Sequence, residues 1–377
     1  MTLTLSRVES AADRRRFVDL AWDVYRDDPA WVPPLKSEVL GLITPGKNPW
    51  FEHATAAFWL AIRDGKVVGR VSAQVDQLVL DHMGAGIGQW GMFEALDAEA
   101  AAALIAQAET WLREQGMTQS MGPISLSIWD EPGLLIKGFE EPPTAMMGHH
   151  RPAYQAWVEA AGYAKAKDLF TYELDIREAP VPLVQRLIDS GKRNARIHLR
   201  PVDKGRFATE VQIILGLLND AWSDNWGFVP LTPSEIAYAG KKLKPIVFED
   251  LVTIAEVDGV PAAFMLTIPD INEFLGDLNG KLFPFGWAKL LSRLRKPRVK
   301  RIRVPLMGVA RKFQGSRLAT QLAFMMIEHI RVSAVANYGA THGEFGWVLE
   351  DNQGMMSIAQ LPGAGVNKLY RIYERAI

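Results

Sequence analysis

The chain contains no cysteine among its 377 residues. Disulfide bonds, thiolate nucleophiles and zinc sites with cysteine ligands are therefore excluded. The seven histidines show no spacing that is typical of metal ligands, so we expect no metal site.

Long apolar runs are also missing. No stretch approaches the roughly 20 apolar residues that a transmembrane helix needs, and the first residues, MTLTLSRVESAADRRRF, lack the apolar core of a signal peptide. The formal net charge of −1 gives no whole-molecule case for a nucleic-acid partner. We expect a cytoplasmic protein without stable membrane insertion, and the sequence predicts no oligomeric state.

The chain repeats itself once. WVPPLKSEV at 31–39 matches FVPLTPSEI at 228–236, and LAIRDGKVVGRVSAQVD at 60–76 matches IAEVDGVPAAFMLTIPD at 254–270. The matches keep their order and nearly their offset, which makes chance agreement a poor explanation. Each second match places Asp-Gly between two alternating apolar runs, which predicts a hairpin.

We therefore predict two copies of one domain, 1–175 and 195–377, joined by a linker at 176–194. Each copy is predicted to contain a strand, two helices, a hairpin, a further strand, a long helix, a strand, a short helix and a last strand. Such an order indicates an α/β (α+β) fold whose mixed sheet is mostly antiparallel and flanked by helices.

The most specific motif is VPLMGVARKFQGSRLATQL at 304–322, an apolar strand followed by a small-residue loop and a long helix. With the order of elements, it resembles the GNAT N-acetyltransferase superfamily, whose loop reads Arg/Gln-x-x-Gly-x-Gly/Ala. Gln314 and Ala319 match two of three positions, and Arg317 replaces a glycine. The resemblance implies acetyl-CoA or another acyl-CoA as cofactor, because a helix start and a nest of backbone N–H groups bind its pyrophosphate.

The resemblance assigns two further sets of residues to the cofactor. Asn352 occupies the position of an asparagine that GNAT chains carry after the next strand, whereas Ala359 stands where the family often has a tyrosine general acid. A backbone N–H on the strand before the loop would hold the thioester carbonyl. The implied cofactor residues are Met307, Gly308, Val309, Gln314, Gly315, Ser316, Arg317, Leu318, Ala319 and Asn352.

Copy one lacks this loop and carries Glu94 and Asp97 instead, which would repel a pyrophosphate. We therefore expect the C-terminal copy to bind the cofactor and the N-terminal copy to shape the acceptor site.

A carboxylate is the expected general base for an amine acceptor. Glu344, inside an apolar strand, and Asp351 are the chosen catalytic candidates, although Asp351 also fits a helix cap and Glu344 also fits an edge strand facing solvent. The candidate acceptor contacts are Asp130 and Tyr154 in copy one and Asp220 and Trp226 in copy two. Core packing is the alternative role of the aromatic residues.

A segment without acidic residues, 279–327, surrounds the loop and holds an amphipathic basic stretch at 285–300. This stretch fits a solvated face, and binding to an anionic membrane or to nucleic acid is the alternative. The predicted function is acyl-CoA-dependent N-acyl transfer, most simply acetyl transfer, to an amine of a small molecule or peptide. The alternatives are a non-catalytic tandem GNAT protein that binds a ligand or partner, and a Fem-like aminoacyl transferase.

Overall fold

The computed structural model describes residues 2–377. The N-terminal copy begins with nine elements that lead to the middle of the sheet. They are β1 (Leu3–Arg7), α1 (Ala11–Val24), α2 (Lys36–Leu42), β2 (Ala54–Arg63), β3 (Lys66–Asp76), α3 (Gln77–His82), β4 (Ile87–Ala95), α4 (Ala98–Glu114) and β5 (Gln119–Gly122).

The copy continues through a long irregular segment and ends in a strand, after which a helix joins the two copies. These elements are β6 (Ile124–Ser125), β7 (Glu131–Pro132), β8 (Leu134–Lys137), α5 (Ala153–Ala160), β9 (Ala164–Asp175) and α6 (Pro182–Lys192). The connecting helix α6 lies within the predicted linker, and its Val184 and Ile188 are buried against Phe324.

The C-terminal copy repeats the order without counterparts of β6, β7 and β8. Its elements are β10 (Ile197–Pro201), α7 (Phe207–Trp222), α8 (Pro233–Leu243), β11 (Val252–Val257), β12 (Val260–Pro269), α9 (Gly286–Arg295), β13 (Arg301–Val309), α10 (Arg317–Ser333), β14 (His342–Leu349), α11 (Gln353–Gln360) and β15 (Gly365–Ala376). In this order, α9 stands at the place of α3.

Both predicted hairpins are present with two-residue turns. Arg63 pairs with Lys66 around the first turn, and Val257 pairs with Val260 around the second. All four turn residues have positive φ, with Asp64 at 50° and Asp258 at 54°. Asp-Gly is among the few dipeptides that adopt this geometry without large strain, which explains why it occurs at both positions.

One continuous sheet contains the main strands of both copies. Its order is β1-β2-β3-β4-β5-β15-β9-β14-β13-β12-β11-β10, and β8 adds to β15 at one side. Only β4–β5 and β13–β14 pair in parallel, so the predicted mixed, mostly antiparallel sheet is confirmed. The last strands are exchanged: β15 lies beside β5 of the other copy, and β9 lies beside β14.

Each copy buries an apolar core between its long helix and its antiparallel strands. Leu104 and Leu112 of α4 pack with Trp90 on β4, and Leu322 and Met326 of α10 pack with Met307 on β13. Burial of a side chain of this size contributes about 2 kcal/mol. Within residues 2–377, no helix is long and apolar enough to cross a membrane.

Candidate acyl-CoA site

Residues 310–316 form the loop that joins β13 to α10, and α7 holds it in place. The carboxylate of Asp220 accepts a hydrogen bond from the backbone N–H of Arg311 at 2.7 Å. The side-chain amide of Gln314 donates to the carbonyls of Ala221 and Val309 at 3.1 and 3.0 Å. Gln314 and Asp220 therefore hold the backbone of the loop in its conformation.

The start of α10 has the features of an anion site. Gly315 has a φ of 71°, which favours glycine, and a side chain there would meet open space. Ser316 caps the helix by accepting from the N–H of Ala319 at 3.2 Å. Within residues 2–377, nothing accepts a hydrogen bond from the N–H groups of Arg317 and Leu318. These groups and the helix dipole favour a phosphate.

Arg317 lies at the rim of the loop. Its side chain is exposed, and one guanidinium nitrogen donates to the hydroxyl of Ser190 on α6 at 3.2 Å. The guanidinium is thus turned towards the linker helix. It leaves the glycine of the loop uncovered and adds positive charge beside the helix start.

A cleft of about 790 Å³ opens where β13 and β14 separate. The two strands pair only from Arg301–His342 to Val304–Phe345 and then diverge. The cleft brings together nine of the ten predicted cofactor residues, with Asp351 and Trp226. The nine are Met307, Gly308, Val309, Gln314, Gly315, Ser316, Arg317, Ala319 and Asn352.

The tenth residue, Leu318, packs against the C-terminal core and does not line the cleft. Asn352 has a structural role as well as a place in the wall, because its side chain caps α11 by accepting from the N–H of Met355 at 3.0 Å. Gly308 packs tightly against Phe264 and Ala221, whose atoms lie 2.8 and 3.0 Å from the position that a Cβ at residue 308 would take. A side chain at residue 308 would therefore displace the strand or its neighbours.

An apolar cavity of about 100 Å³ continues from the cleft into the space between the sheet and α10. The two spaces share seven wall residues: Trp222, Asn225, Met307, Leu349, Asn352, Met355 and Ile358. Deeper in, the walls are almost entirely aliphatic or aromatic, with Ile302, Val304, Ile327, Ile330 and Phe345 among them. The arrangement offers a polar end for phosphates and an apolar end for a hydrocarbon chain.

Trp222 and Trp347 line the apolar cavity, and Trp129 of the N-terminal copy packs against Trp222. Trp222 lines both spaces, and its indole N–H donates to the carbonyl of Met307 at 3.0 Å. Trp129 stacks on Trp222 at a centroid distance of 5.9 Å, and Trp347 lies 5.8 Å from it. Trp129 lies in the irregular segment between β6 and β7, where no periodic pattern predicts its place in the fold.

Glu344 is fully buried on β14. Its carboxylate accepts from Arg303 at 2.9 Å, from Asn367 at 2.7 Å and from the Thr144 hydroxyl. Burial raises the pKa of this carboxyl, but the charges of Arg303 and Lys368 outweigh burial and leave the pKa below its usual value. The hydrogen bonds from Arg303, Asn367 and Thr144 occupy the carboxylate of Glu344, and its surroundings are those of a buried ion pair.

Asp351 lies in the wall of the cleft, and its side chain is 57% exposed. The ammonium of Lys167 lies 2.7 Å from its carboxylate, and this hydrogen bond lowers the pKa of Asp351. Of the two predicted carboxylates, only Asp351 lines the larger cleft. Ala359, at the position of the family's frequent tyrosine, is fully buried.

The structure places Asp130 and Tyr154 in the N-terminal copy, outside both spaces of the C-terminal site. Asp130 lines a separate cleft of about 260 Å³, where burial raises its pKa to about 7. Tyr154 is buried behind this cleft and donates to Glu94 at 2.7 Å. Burial also raises the pKa of Glu94 to about 7. Asp220 hydrogen-bonds to the loop and does not line the C-terminal cleft. Of the four acceptor candidates, Trp226 alone lines this cleft.

Comparison with solved structures identifies the fold. The chain superposes on the tandem GNAT protein from the clavulanic acid biosynthesis pathway with a TM-score of 0.58 at 14% identity, covering 100% of this chain and 98% of that one. A GCN5-related N-acetyltransferase from Sphaerobacter thermophilus gives a TM-score of 0.55 at 12% identity, with 99% and 95% covered. No protein-family model matches the chain.

The fold defines the class: this is a protein of the tandem GNAT fold, as its sequence predicts. The chain belongs to the family that includes the bacterial ceramide synthase of Caulobacter vibrioides and protein YghO of Escherichia coli. It is 43% identical to the first over 378 aligned residues, which cover 100% of this chain and 98% of the relative. It is 41% identical to the second over 367 residues, with 97% and 93% covered.

Proposed function

We propose that the protein transfers a long acyl group from acyl-CoA to the amine of a long-chain amino alcohol. The product would be a ceramide, which is the amide of a fatty acid with such an amine. One observation carries the proposal. The cleft that contains the anion site at the start of α10 is continuous with an apolar cavity. The name of the full-length relative from Caulobacter vibrioides supports the same reaction.

In this proposal, the start of α10 and the side chain of Arg317 bind the cofactor phosphates. The splayed end of β13, at Met307, Gly308 and Val309, supplies the backbone N–H that polarises the thioester carbonyl. The acceptor nitrogen forms a bond to the carbonyl carbon, the bond from carbon to sulfur breaks, and CoA leaves as the thiolate, which takes up one proton in place of the one that the amine loses. Asp351 is the carboxylate we propose to accept the amine proton.

The acyl chain enters the apolar cavity. Met265, Met307 and Met355 line it, and methionine side chains repack readily around apolar ligands of different shapes. We therefore propose a longer acyl group than the acetyl that the GNAT resemblance implies. Removing the chain from water contributes about 0.8 kcal/mol for each buried methylene, so affinity should rise with chain length.

The decisive experiment measures CoA release and product formation together. Palmitoyl-CoA and sphinganine are incubated with the protein, CoA is followed with a thiol reagent, and the amide is identified by mass spectrometry. The chain has no cysteine, so the reagent reports only the released cofactor. We expect both products in equal amounts, with acetyl-CoA a much poorer donor.

Gln314→Glu is the matched loss-of-site variant. It places a carboxylate against the carbonyls of Ala221 and Val309 and close to the cofactor phosphates, so we expect CoA binding and transfer to be lost. Gln353→Glu, on the same cleft but at the start of α11, is the control. Binding of CoA by the wild type without transfer to sphinganine would favour a non-catalytic protein, and faster transfer from acetyl-CoA would favour an acetyltransferase.

A further inference from the structure

The segment 281–300, which contains α9, exposes an unusual combination of aromatic and basic side chains. Phe283 and Phe285 are 80% and 78% exposed, Trp287 is 50% exposed and Leu291 is 47% exposed. Monomeric proteins rarely present several large apolar side chains next to each other, and such patches mark interaction surfaces. We call this segment the aromatic–basic surface.

The fold holds the aromatic–basic surface in place. Leu290 and Leu294 of α9 pack against the C-terminal core, and Arg293 donates to the carbonyl of Phe274 at 2.6 Å. Trp287 and Leu291 lie one turn apart on α9, and their side chains are exposed beside Leu290 and Leu294. The anchored helix α9 therefore presents Trp287 and Leu291, and Phe283 and Phe285 lie in the segment that leads directly into it.

The charge of this surface is positive and largely unpaired. Asp277 pairs with Lys289 and Arg293. The remaining basic side chains have no carboxylate partner in residues 2–377, and segment 279–327 contains no acidic residue. The remaining basic residues are Lys281, Arg295, Lys296, Arg298 and Lys300, all exposed.

We propose that the aromatic–basic surface docks on an anionic lipid bilayer. Aromatic and aliphatic side chains enter the boundary between headgroups and acyl chains, and the cations contact the lipid phosphates. The complementarity of charge favours an anionic membrane over a neutral one. The cluster of apolar side chains favours a bilayer over a nucleic acid, whose phosphates alone would not bind them.

This docking is argued from exposed side chains and does not depend on the proposed acyl transfer. Docking would place the protein at the bilayer, into which long-chain acceptors and acyl donors partition. No spanning segment is involved, because the surface would lie in the plane of the interface.

The test is sedimentation with vesicles at physiological salt. The wild type is mixed with phosphatidylcholine vesicles and with vesicles that contain about a third phosphatidylglycerol, and the bound fraction is measured. We expect binding to the anionic vesicles and about tenfold weaker binding to neutral ones. Raising the salt concentration should weaken the binding further.

The triple variant Phe283→Ser, Phe285→Ser and Trp287→Ser removes the apolar contacts, and we expect at least about a hundredfold weaker binding. Lys296→Glu with Arg298→Glu should weaken it about thirtyfold, from roughly 1 kcal/mol for each cation removed. Val260→Ser, at an equally exposed apolar residue on the β11–β12 turn, should leave it unchanged. Circular dichroism confirms that each variant is folded.

Three results would overturn the proposal. They are a wild type that sediments with neither vesicle, a triple variant that binds as the wild type does, and a wild type that binds duplex RNA but not the vesicles. A wild-type dimer that the triple variant dissolves, with no vesicle binding, would assign the surface to protein association. A second assay separates this test from that of the proposed function. It measures acyl transfer from a water-soluble short-chain acyl-CoA, and we expect the triple variant to retain this activity.

Discussion

At the scale of single residues, Glu344 shows how a buried carboxylate acquires a structural role. It receives hydrogen bonds from Arg303 and Asn367, and Lys368 lies 3.8 Å away. We predict that Glu344→Gln lowers the free energy of unfolding by about 3 kcal/mol, because the change leaves buried cations without their counter-charge. Urea unfolding measures this loss.

The control for Glu344 is Glu173→Gln. Glu173 pairs with Arg301 at 2.6 Å, but both side chains retain contact with water, so we expect a loss below about 1 kcal/mol. Asp351→Asn separates chemistry from stability: transfer should fall by about a hundredfold or more with little change in unfolding. An unchanged stability of Glu344→Gln, with transfer abolished, would make Glu344 the base instead.

Arg317 supplies a second prediction at this scale. Its guanidinium contacts Ser190 at 3.2 Å beside an uncovered anion site, so it adds positive charge without filling the loop. We expect Arg317→Ala to weaken CoA binding about fivefold, with a smaller dependence on salt concentration. Ser190→Ala is the control, and isothermal calorimetry measures both. Tighter binding by Arg317→Ala would show that the arginine obstructs the loop.

The raised pKa of Glu94 leads us to predict that the free energy of unfolding depends on pH. Burial raises its pKa from 4.5 to about 7, so the folded state keeps a proton that the unfolded state releases between these values. Stability therefore falls as the pH rises through this window, by about 3 kcal/mol at most. Asp130, whose pKa is also raised to about 7, adds a slope of the same sign.

Glu94→Gln keeps an acceptor for the hydroxyl groups of Tyr25 and Tyr154 but removes the titration. We expect the variant to match the wild type near pH 5 and to exceed it in stability near pH 8. Urea unfolding at four pH values measures the two profiles. Glu99→Gln, at an exposed ion pair, should run parallel to the wild type, and a parallel profile for Glu94→Gln would contradict the prediction.

At the scale of elements, the cleft where β13 and β14 separate continues into the apolar cavity between the sheet and α10. Val304 ends their paired stretch and lines this cavity. We predict that Val304→Phe abolishes the extra stabilisation by palmitoyl-CoA over free CoA, since the larger side chain occupies the space for the acyl chain. Thermal unfolding with both ligands measures it.

Val202→Phe is the control for this change, because Val202 is similarly buried but lines neither space of the site. Both substitutions overpack a core and should cost about 1–3 kcal/mol in the free protein. Stabilisation by free CoA should survive in both variants. If palmitoyl-CoA stabilises Val304→Phe as it does the wild type, the acyl chain lies elsewhere.

The elements that the sequence predicts are those with local causes. The Asp-Gly turns at Asp64 and Asp258 require positive φ, and the loop before α10 needs small residues and a cap at Ser316. The site residues beyond them depend on tertiary packing. Trp129 and Thr144 come from an irregular segment whose path no periodicity encodes, yet they reach Trp222 and Glu344.

At the scale of the whole molecule, the exchanged strands make the two copies interdependent. The terminal strands β9 and β15 look alike in sequence, since each is a run of alternating apolar and polar residues, so their neighbours cannot be read from the pattern. In the fold, β15 separates β5 from β9 and buries Tyr370, Ile372 and Tyr373. Neither copy has a complete sheet without the other's strand.

This interdependence predicts the behaviour of a chain cut within its exposed connection at 177–181. We expect the two fragments to stay associated through gel filtration and to unfold in a single urea transition, because separation would expose β15 and β9 as unpaired edges with their apolar side chains. A site for a specific protease inserted after Glu178 allows the cut. The same site inserted after Gly259, within a hairpin of one copy, is the control for damage caused by cleavage itself. Fragments that elute apart and remain folded would show that each copy completes its own sheet.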